Sequence, residues 1–210
     1  MGLEVRYHRT MMHDTPQPPT LVCLIGAPAF GKMTVGQSLC HVTGFQLFHG
    51  HVVADVLSPY FPFGTPSFSR LTHHWRRLFF EEAFTAGLNV VTTVAWRFDV
   101  PADAETIASW PQPYLAGGRV LCVEFVASLE VRLERNRTEH RRSQKNPYWV
   151  TDGYLQDTNA VYRYDSGGVL PYALPHLRLD TTHLSAETTA HQIVAHFNLP
   201  RPDDRRTTAL

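Results

Sequence analysis

The chain has 210 residues, enough for one domain with a short tail at each end, and its 43% apolar and 18% charged content suits a folded core rather than a disordered segment. Nineteen basic and nineteen acidic side chains cancel to a formal charge of zero, which argues against general nucleic-acid binding, since phosphate neutralisation needs a basic excess. No stretch reaches the roughly 18 apolar residues of a membrane span, and Met1 to Pro19 hold no apolar core of a signal peptide.

In chain order, residues 1–19 close on Pro16, Gln17, Pro18 and Pro19 and read as an entry tail. Residues 20–198 carry the domain, and 199–210, with Asp203, Asp204, Arg205 and Arg206, read as a second tail. Thr20–Ile25, Leu88–Ala95 and Val120–Val126 are short, continuous apolar runs, with Phe45–Phe48 and His176–Asp180 as shorter candidates. Such runs predict strands covered on both faces. Between them lie helical patterns. Thr65 and Pro66 open one in which Phe68, Leu71, Trp75, Leu78, Phe79 and Ala83 recur at three and four, and Gly87 stops it. Glu130 to Arg142 is a charged helical stretch, and Ser185 caps a last helix with Ile193, Val194 and Phe197. The alternation predicts an α/β domain with a five-stranded parallel sheet. Cys23, Cys40 and Cys122 have no metal spacing and read as small buried hydrophobes of a reducing, cytoplasmic compartment.

Directly after the first strand stands Gly26-Ala27-Pro28-Ala29-Phe30-Gly31-Lys32-Met33-Thr34, then the helix-like Val35 to Val42. Lys32 and Lys145 are the only lysines in a chain that otherwise uses arginine. Glycines in such a loop let backbone N–H groups curl round a phosphate, and the following helix aims its N-terminus at the same anion. Lys32 would bridge the outer phosphates, and a hydroxyl would hold Mg²⁺. Here Met33 follows the lysine and the hydroxyl comes one place later, at Thr34. This G-K-x-T form resembles the loop of nucleoside monophosphate kinases and related small-molecule kinases. The order of later elements is also similar to shikimate kinases and chloramphenicol phosphotransferases, over roughly residues 20–198. The resemblance implies a three-layer P-loop NTPase fold with an arginine-rich lid, and ATP with Mg²⁺ as the phosphoryl donor system. It also implies that the turn Leu179 to Glu187 lies beside the nucleotide base.

In such kinases the second strand ends in acidic residues, one of which acts as base. Here that place reads Phe48-His49-Gly50-His51, with Asp55 one turn on. His51 is the first candidate for the base, because an imidazole titrating near pH ~6.5 can take a proton from a hydroxyl at neutral pH. His49 and Asp55 stand behind it, and packing histidines are the plain alternative. After the third strand, Trp96-Arg97-Phe98-Asp99 offers Asp99 for the metal's water shell, or as a helix cap before Pro101; Asp103 is the weaker choice. Arg132, Arg135, Arg137, Arg141 and Arg142 precede Lys145, Asn146 and Pro147. Arg135 is read toward the nucleotide, and Arg137 and Arg141 as lid cations over the transferring phosphoryl group, against the alternative of a solvated face paired with Glu130, Glu134 and Glu139. For the acceptor, His49, Arg70, Trp75, Arg77 and Trp96 are the candidates, with Arg70 and Arg77 as a clamp for an anion.

These readings converge on an ATP-dependent phosphotransferase acting on a hydroxyl of a small molecule. The arginine bias fits a GC-rich genome, which brings in an antibiotic or other secondary metabolite as acceptor. A nucleoside or nucleoside monophosphate is the alternative acceptor, and a non-catalytic nucleotide sensor the alternative from another class.

Overall fold

In the computed structural model, which describes residues 17–139, 141 and 150–202, the first apolar run becomes β1 (Thr20–Ile25), buried at every position. Leu21, Cys23 and Ile25 join one core and Val22 and Leu24 the other, so a helical layer is needed on each face. The remaining runs form β2 (Gln46–Phe48), β3 (Val90–Val94), β4 (Arg119–Val126) and β5 (His176–Asp180). All are parallel, in the order β2-β3-β1-β4-β5, which is the expected five-stranded sheet. Met1 to Pro16, Arg142, Lys145, Asn146 and Pro147 of the lid segment, and Asp203 to Arg206 lie outside the described residues.

The helices are α1 (Lys32–Thr43), α2 (His51–Leu57), α3 (Pro66–Thr85), α4 (Pro101–Ser109), α5 (Gln112–Gly117), α6 (Leu129–Asn136), α7 (Asp152–Val161) and α8 (Ala186–Phe197). One layer packs Val35 and Leu39 of α1 with Ile193, Val194 and Phe197 of α8, and Leu199 stays buried beyond the helix end. The other layer packs Val53 and Leu57 of α2, Phe68 and Phe80 of α3 and Tyr114 of α5. Cys23 and Cys122 are buried register neighbours on β1 and β4, where a mutual hydrogen bond and burial push the Cys23 thiol well up; Cys40 is half-buried and free.

Local chemistry fixes several boundaries. The Thr65 hydroxyl accepts from the Phe68 N–H at 3.4 Å with Pro66 at N1, and Ser185 accepts from the Thr188 N–H at 3.0 Å. The charged stretch after β4 is shorter than its pattern suggests. It begins at a cap the sequence reading did not name, Ser128, and ends at Asn136, where the Thr138 hydroxyl donates to the Arg135 carbonyl at 2.8 Å. On α3 the buried positions are Phe68, Thr72, Phe80 and Ala83, while Trp75 and Leu78 stay exposed. Phe79 supports that phase by stacking on Phe48 of β2 at 3.8 Å between ring centroids.

One fully buried acid crosses the sheet-to-loop boundary. Glu124 of β4 accepts from the Ser166 N–H at 2.7 Å and its hydroxyl at 2.5 Å, and His176 Nε2 lies 3.0 Å away, off the line of a hydrogen bond. Removing the acid leaves the N–H and hydroxyl of half-buried Ser166 without this acceptor. Glu124→Ala is therefore expected to lower unfolding stability by about 3 kcal/mol, read as a lower urea midpoint with an unchanged slope.

Candidate active site

The phosphate-loop sequence joins the C-terminal end of β1 to α1. Gly26 turns out of the strand at φ +146°, its N–H donating to the Val94 carbonyl at 3.2 Å, and a Cβ there would meet Phe30 and the Phe125 carbonyl oxygen. Gly31 at φ +83° is the N-cap of α1 and its carbonyl accepts from Val35 at 2.9 Å. Lys32, the first residue of α1, folds back so that Nζ donates to the Gly26 and Ala27 carbonyls at 2.6 Å each. Ala29, Phe30, Gly31, Lys32, Met33 and Thr34 line one wall of a cleft of about 1280 Å³ above the carboxyl ends of the strands. Gly26 and Ala27 lie beneath that wall, not in it.

The loop is tied down by arginine. Arg132 of α6, only 2% exposed, donates from Nε to the Pro28 carbonyl at 3.0 Å and from Nη1 to Asn159 of α7 at 2.6 Å. Its guanidinium also sits 5.0 Å over the Phe30 ring. Arg135 reaches from the same helix to the Phe30 carbonyl at 3.4 Å and to Thr181 after β5, and it lines the cleft with Thr181, Leu184 and Ala186. Arg141 also lines the cleft, with Nε held by Asn136 at 2.6 Å, whereas exposed Arg137 is outside it and forms an ion pair with Asp152 at 2.7 Å. Burial lowers the pKa of Arg132, Arg135 and Arg141.

Across the cleft, β2 delivers His51 at the start of α2 into the wall. His49 and exposed Asp55 are not wall residues; the two imidazole centroids are 6.3 Å apart. Gly50 is fixed between them. Its N–H donates to Thr93 Oγ1 at 3.0 Å, and its carbonyl accepts from Arg76 of α3 at 2.5 Å. Arg76, not Arg70 or Arg77, is thus the α3 arginine that faces the cleft. Arg70 is exposed beside Ser67, and Arg77 pairs with Glu81 at 2.8 Å on the outer face, where Trp75 also lies. The distinguishing sequence signal was phase, since Phe68, Thr72 and Arg76 recur at i, i+4 and i+8.

Beyond β3, Trp96 is 2% exposed and belongs to the core, stacked on Phe98 at 4.7 Å. Asp99 is also outside the cleft, accepting from the Arg163 N–H at 3.0 Å. Arg97 and Asp103 do line it, as a forked pair with contacts of 2.5 and 2.8 Å. That pairing raises the Arg97 pKa further, and Tyr162 lies 4.8 Å under the guanidinium. Tyr154 and Asp157 of α7, with Tyr164, close the same side. Burial pushes the Tyr164 phenol up to about 12. Among the described residues no three His, Cys, Asp or Glu side chains gather as a metal site.

Neither a protein-family model nor a curated protein sequence matches the chain. Solved structures do. A gluconokinase from Sinorhizobium meliloti is 15% identical with a TM-score of 0.57, covering 92% of this chain and 99% of that one. A sugar kinase from Janibacter is 14% identical with a TM-score of 0.57, covering 87% and 96%. The tunicamycin resistance protein of Deinococcus radiodurans is 16% identical with a TM-score of 0.52, covering 87% and 98%. The fold is that of the P-loop small-molecule kinases. In this P-loop kinase fold the loop lies at the C-terminal end of a central strand, where the helix N-terminus and the strand ends face one crevice. No described helix is long and apolar enough to cross a membrane.

Arg132 is the tie that holds the loop to two helices. Arg132→Met is expected to leave the Pro28 carbonyl and Asn159 without that donor and to cost about 2–3 kcal/mol of stability. Chemical denaturation measures this.

Proposed function

We propose that the chain, as a single catalytic domain over residues 20–198, moves the γ-phosphoryl group of ATP to a hydroxyl of a small-molecule acceptor. The observation that carries this reading is the Gly26–Thr34 loop, which sets Lys32 and the α1 N-terminus at the wall of a cleft large enough for two ligands. Lys32 would exchange the Gly26 and Ala27 carbonyls for phosphate oxygens. Arg135 and Arg141 would face the charge that spreads over the equatorial oxygens in transfer. The wall of Thr181, Leu184 and Ala186 would flank the base.

The donor set suits Mg²⁺. Thr34 supplies a wall hydroxyl, and Mg²⁺ in such sites takes most of its ligands from phosphates and water, so a carboxylate cluster is not required. When bound, the ion would offset charge between the outer phosphates; Asp99 would have to leave Arg163 to join it. His51 is the proposed base, because it alone of His49, His51 and Asp55 lines the cleft. The aromatic wall of Phe63, Phe68, Trp110, Tyr154 and Tyr162 supports an acceptor with flat apolar faces, such as an antibiotic or another secondary metabolite, over a polyol. A mononucleotide is the rival acceptor, and a panel of hydroxyl compounds and nucleotides incubated with labelled ATP separates the two. A non-catalytic nucleotide sensor is the second reading, favoured by the position of Asp55 and Asp99 outside the cleft. Tight ATP binding without turnover on any acceptor would select it.

Lys32→Ala is expected to keep the fold and lose ~10²-fold or more of phosphoryl transfer, as on removal of one preorganised charge-stabilising group. Near-normal turnover in the folded variant would remove the loop's assignment. His51→Ala should lower kcat by ~10²-fold and abolish the fall in rate at acidic pH, since the base must be unprotonated to act. His51→Asp should restore part of the rate. An unchanged pH profile in His51→Ala would pass the role to a carboxylate.

A further inference from the structure

Three polar groups converge in the acceptor half of the cleft without protein partners to match. Thr72 is 9% exposed and Trp110 7% exposed, both line the cleft, and neither Thr72 Oγ1 nor Trp110 Nε1 has a hydrogen-bond partner among the described residues. Thr72 differs here from four other helical threonines. Thr43, Thr85, Thr158 and Thr189 each return the hydroxyl to the carbonyl four residues back, at 2.6–3.0 Å. Between these two orphaned groups stands Arg76, one turn after Thr72 and 4.7 Å over the Trp110 ring. Burial pulls its pKa down to about 10, so it remains a cation at neutral pH. Its hydrogen bond goes to the Gly50 carbonyl, and no carboxylate among the described residues pairs with it, whereas Arg97 across the cleft is neutralised by Asp103. A half-buried cation beside two buried unpaired polar groups is costly unless something negative completes it.

We propose that Thr72, Arg76 and Trp110 form a subsite for an anionic group, carboxylate or phosphate, carried by the acceptor in addition to the hydroxyl it presents to the phosphate loop. This deepens the acceptor half of the kinase reading and rests on it. Arg76 donates to one anion oxygen from the guanidinium edge left free by Gly50, while the Thr72 hydroxyl and the Trp110 N–H donate to the others. The same wall supplies the apolar contact: Phe68, Val94 and Ile107 flank the three polar groups. On the other side of Trp110 an almost wholly apolar chamber of about 120 Å³ lies between the β1–β3–β4 face of the sheet and the α4–α5 segment. The acceptor class is thus a hydroxy compound with a flat apolar body and one negative group.

Sodium benzoate and benzyl alcohol share the apolar body and differ in charge, so they probe the subsite directly. Each is titrated into the full chain by ligand-observed NMR at fixed ionic strength, with saturating ADP and Mg²⁺ to occupy the phosphate loop. Benzoate should bind at least tenfold more tightly than the alcohol. Arg76→Met should weaken benzoate about ten- to hundredfold and leave benzyl alcohol unchanged, Arg76→Lys should recover part of the loss, and Thr72→Val should cost a smaller, several-fold factor. Inorganic phosphate that displaces benzoate only when Arg76 is present would extend the class to phosphorylated acceptors, and its failure to do so would restrict the class to carboxylates. If benzoate binds no better than the alcohol, or binds Arg76→Met and Thr72→Val as it binds the unaltered protein, the subsite is overturned while ADP binding keeps the kinase reading intact. If the unaltered chain fails to bind ADP, that reading falls, and the Arg76 dependence of benzoate binding still decides the subsite. Should Arg76→Met not fold, Thr72→Val, which keeps shape and removes only the hydroxyl, carries the test.

Discussion

A buried guanidinium organises the phosphate-loop end of this molecule. Arg132 holds the Pro28 carbonyl, covers the Phe30 ring and reaches Asn159, so the phosphate-loop sequence, α6 and α7 share one tie. A loop that must present backbone N–H groups to an anion has its carbonyls turned away from that anion, and those carbonyls need donors of their own. Arg132 and Arg135 supply them from one side of the loop and Lys32 from the other. The cost is burial of positive charge, visible in the lowered pKa of Arg132 and Arg135. The gain is a loop whose shape is set before a ligand arrives.

Charge in the cleft is segregated although the whole chain is neutral. Arg97 is neutralised by Asp103 where it stands in the wall. Arg76 and Arg135 line the cleft with pKa values that burial lowers. Neutralised arginines build walls, and desolvated ones create potential inside them. A composition-level charge of zero therefore says little about the local field, which depends on which arginines the fold supplies with a carboxylate.

The β1–loop–α1 unit was legible in the sequence because everything that defines it is local: an apolar run, two glycines, a lysine and a following helix within some two dozen residues. So was the parallel sheet, from the alternation of short runs and helical stretches. What escaped depends on phase or on distance along the chain. On α3, Leu71, Trp75 and Leu78 make as good an apolar stripe as Phe68, Thr72, Phe80 and Ala83, and tertiary contacts choose between them: Phe79 and Phe80 against Phe48, and Phe80 against Trp110. Once the phase moves, Arg70, Trp75 and Arg77 turn outward and Arg76 turns in. Asp99 is claimed by Arg163, 64 residues later, and Trp96 by the core, where Tyr172 far along the chain stacks on it at 6.0 Å, partners that spacing near the β3 end does not announce. Glu124 was read as part of an apolar strand, and its loop-holding contact with Ser166 lies 42 residues away.

The arginine field also bears on why a histidine can stand where the resemblance to small-molecule kinases leads one to expect an acid. A carboxylate set beside Gly50 would share the region that Arg76 occupies and would be drawn into a forked pair, as Asp103 is with Arg97. Such pairing holds a carboxylate ionised and makes it a poorer proton acceptor, since a nearby cation lowers its pKa from an already low ~4. A cation lowers the basicity of an imidazole as well, but from a starting point some two to three units higher. The imidazole also forms no ion pair while neutral, so Arg76 remains available to an anion on the acceptor. With the proposed base at His51 and the proposed anion subsite at Arg76, proton removal and substrate anchoring are assigned to groups that do not neutralise each other. Replacing the imidazole by a carboxylate would therefore weaken the base and the hold on the acceptor's anion together, through the same guanidinium.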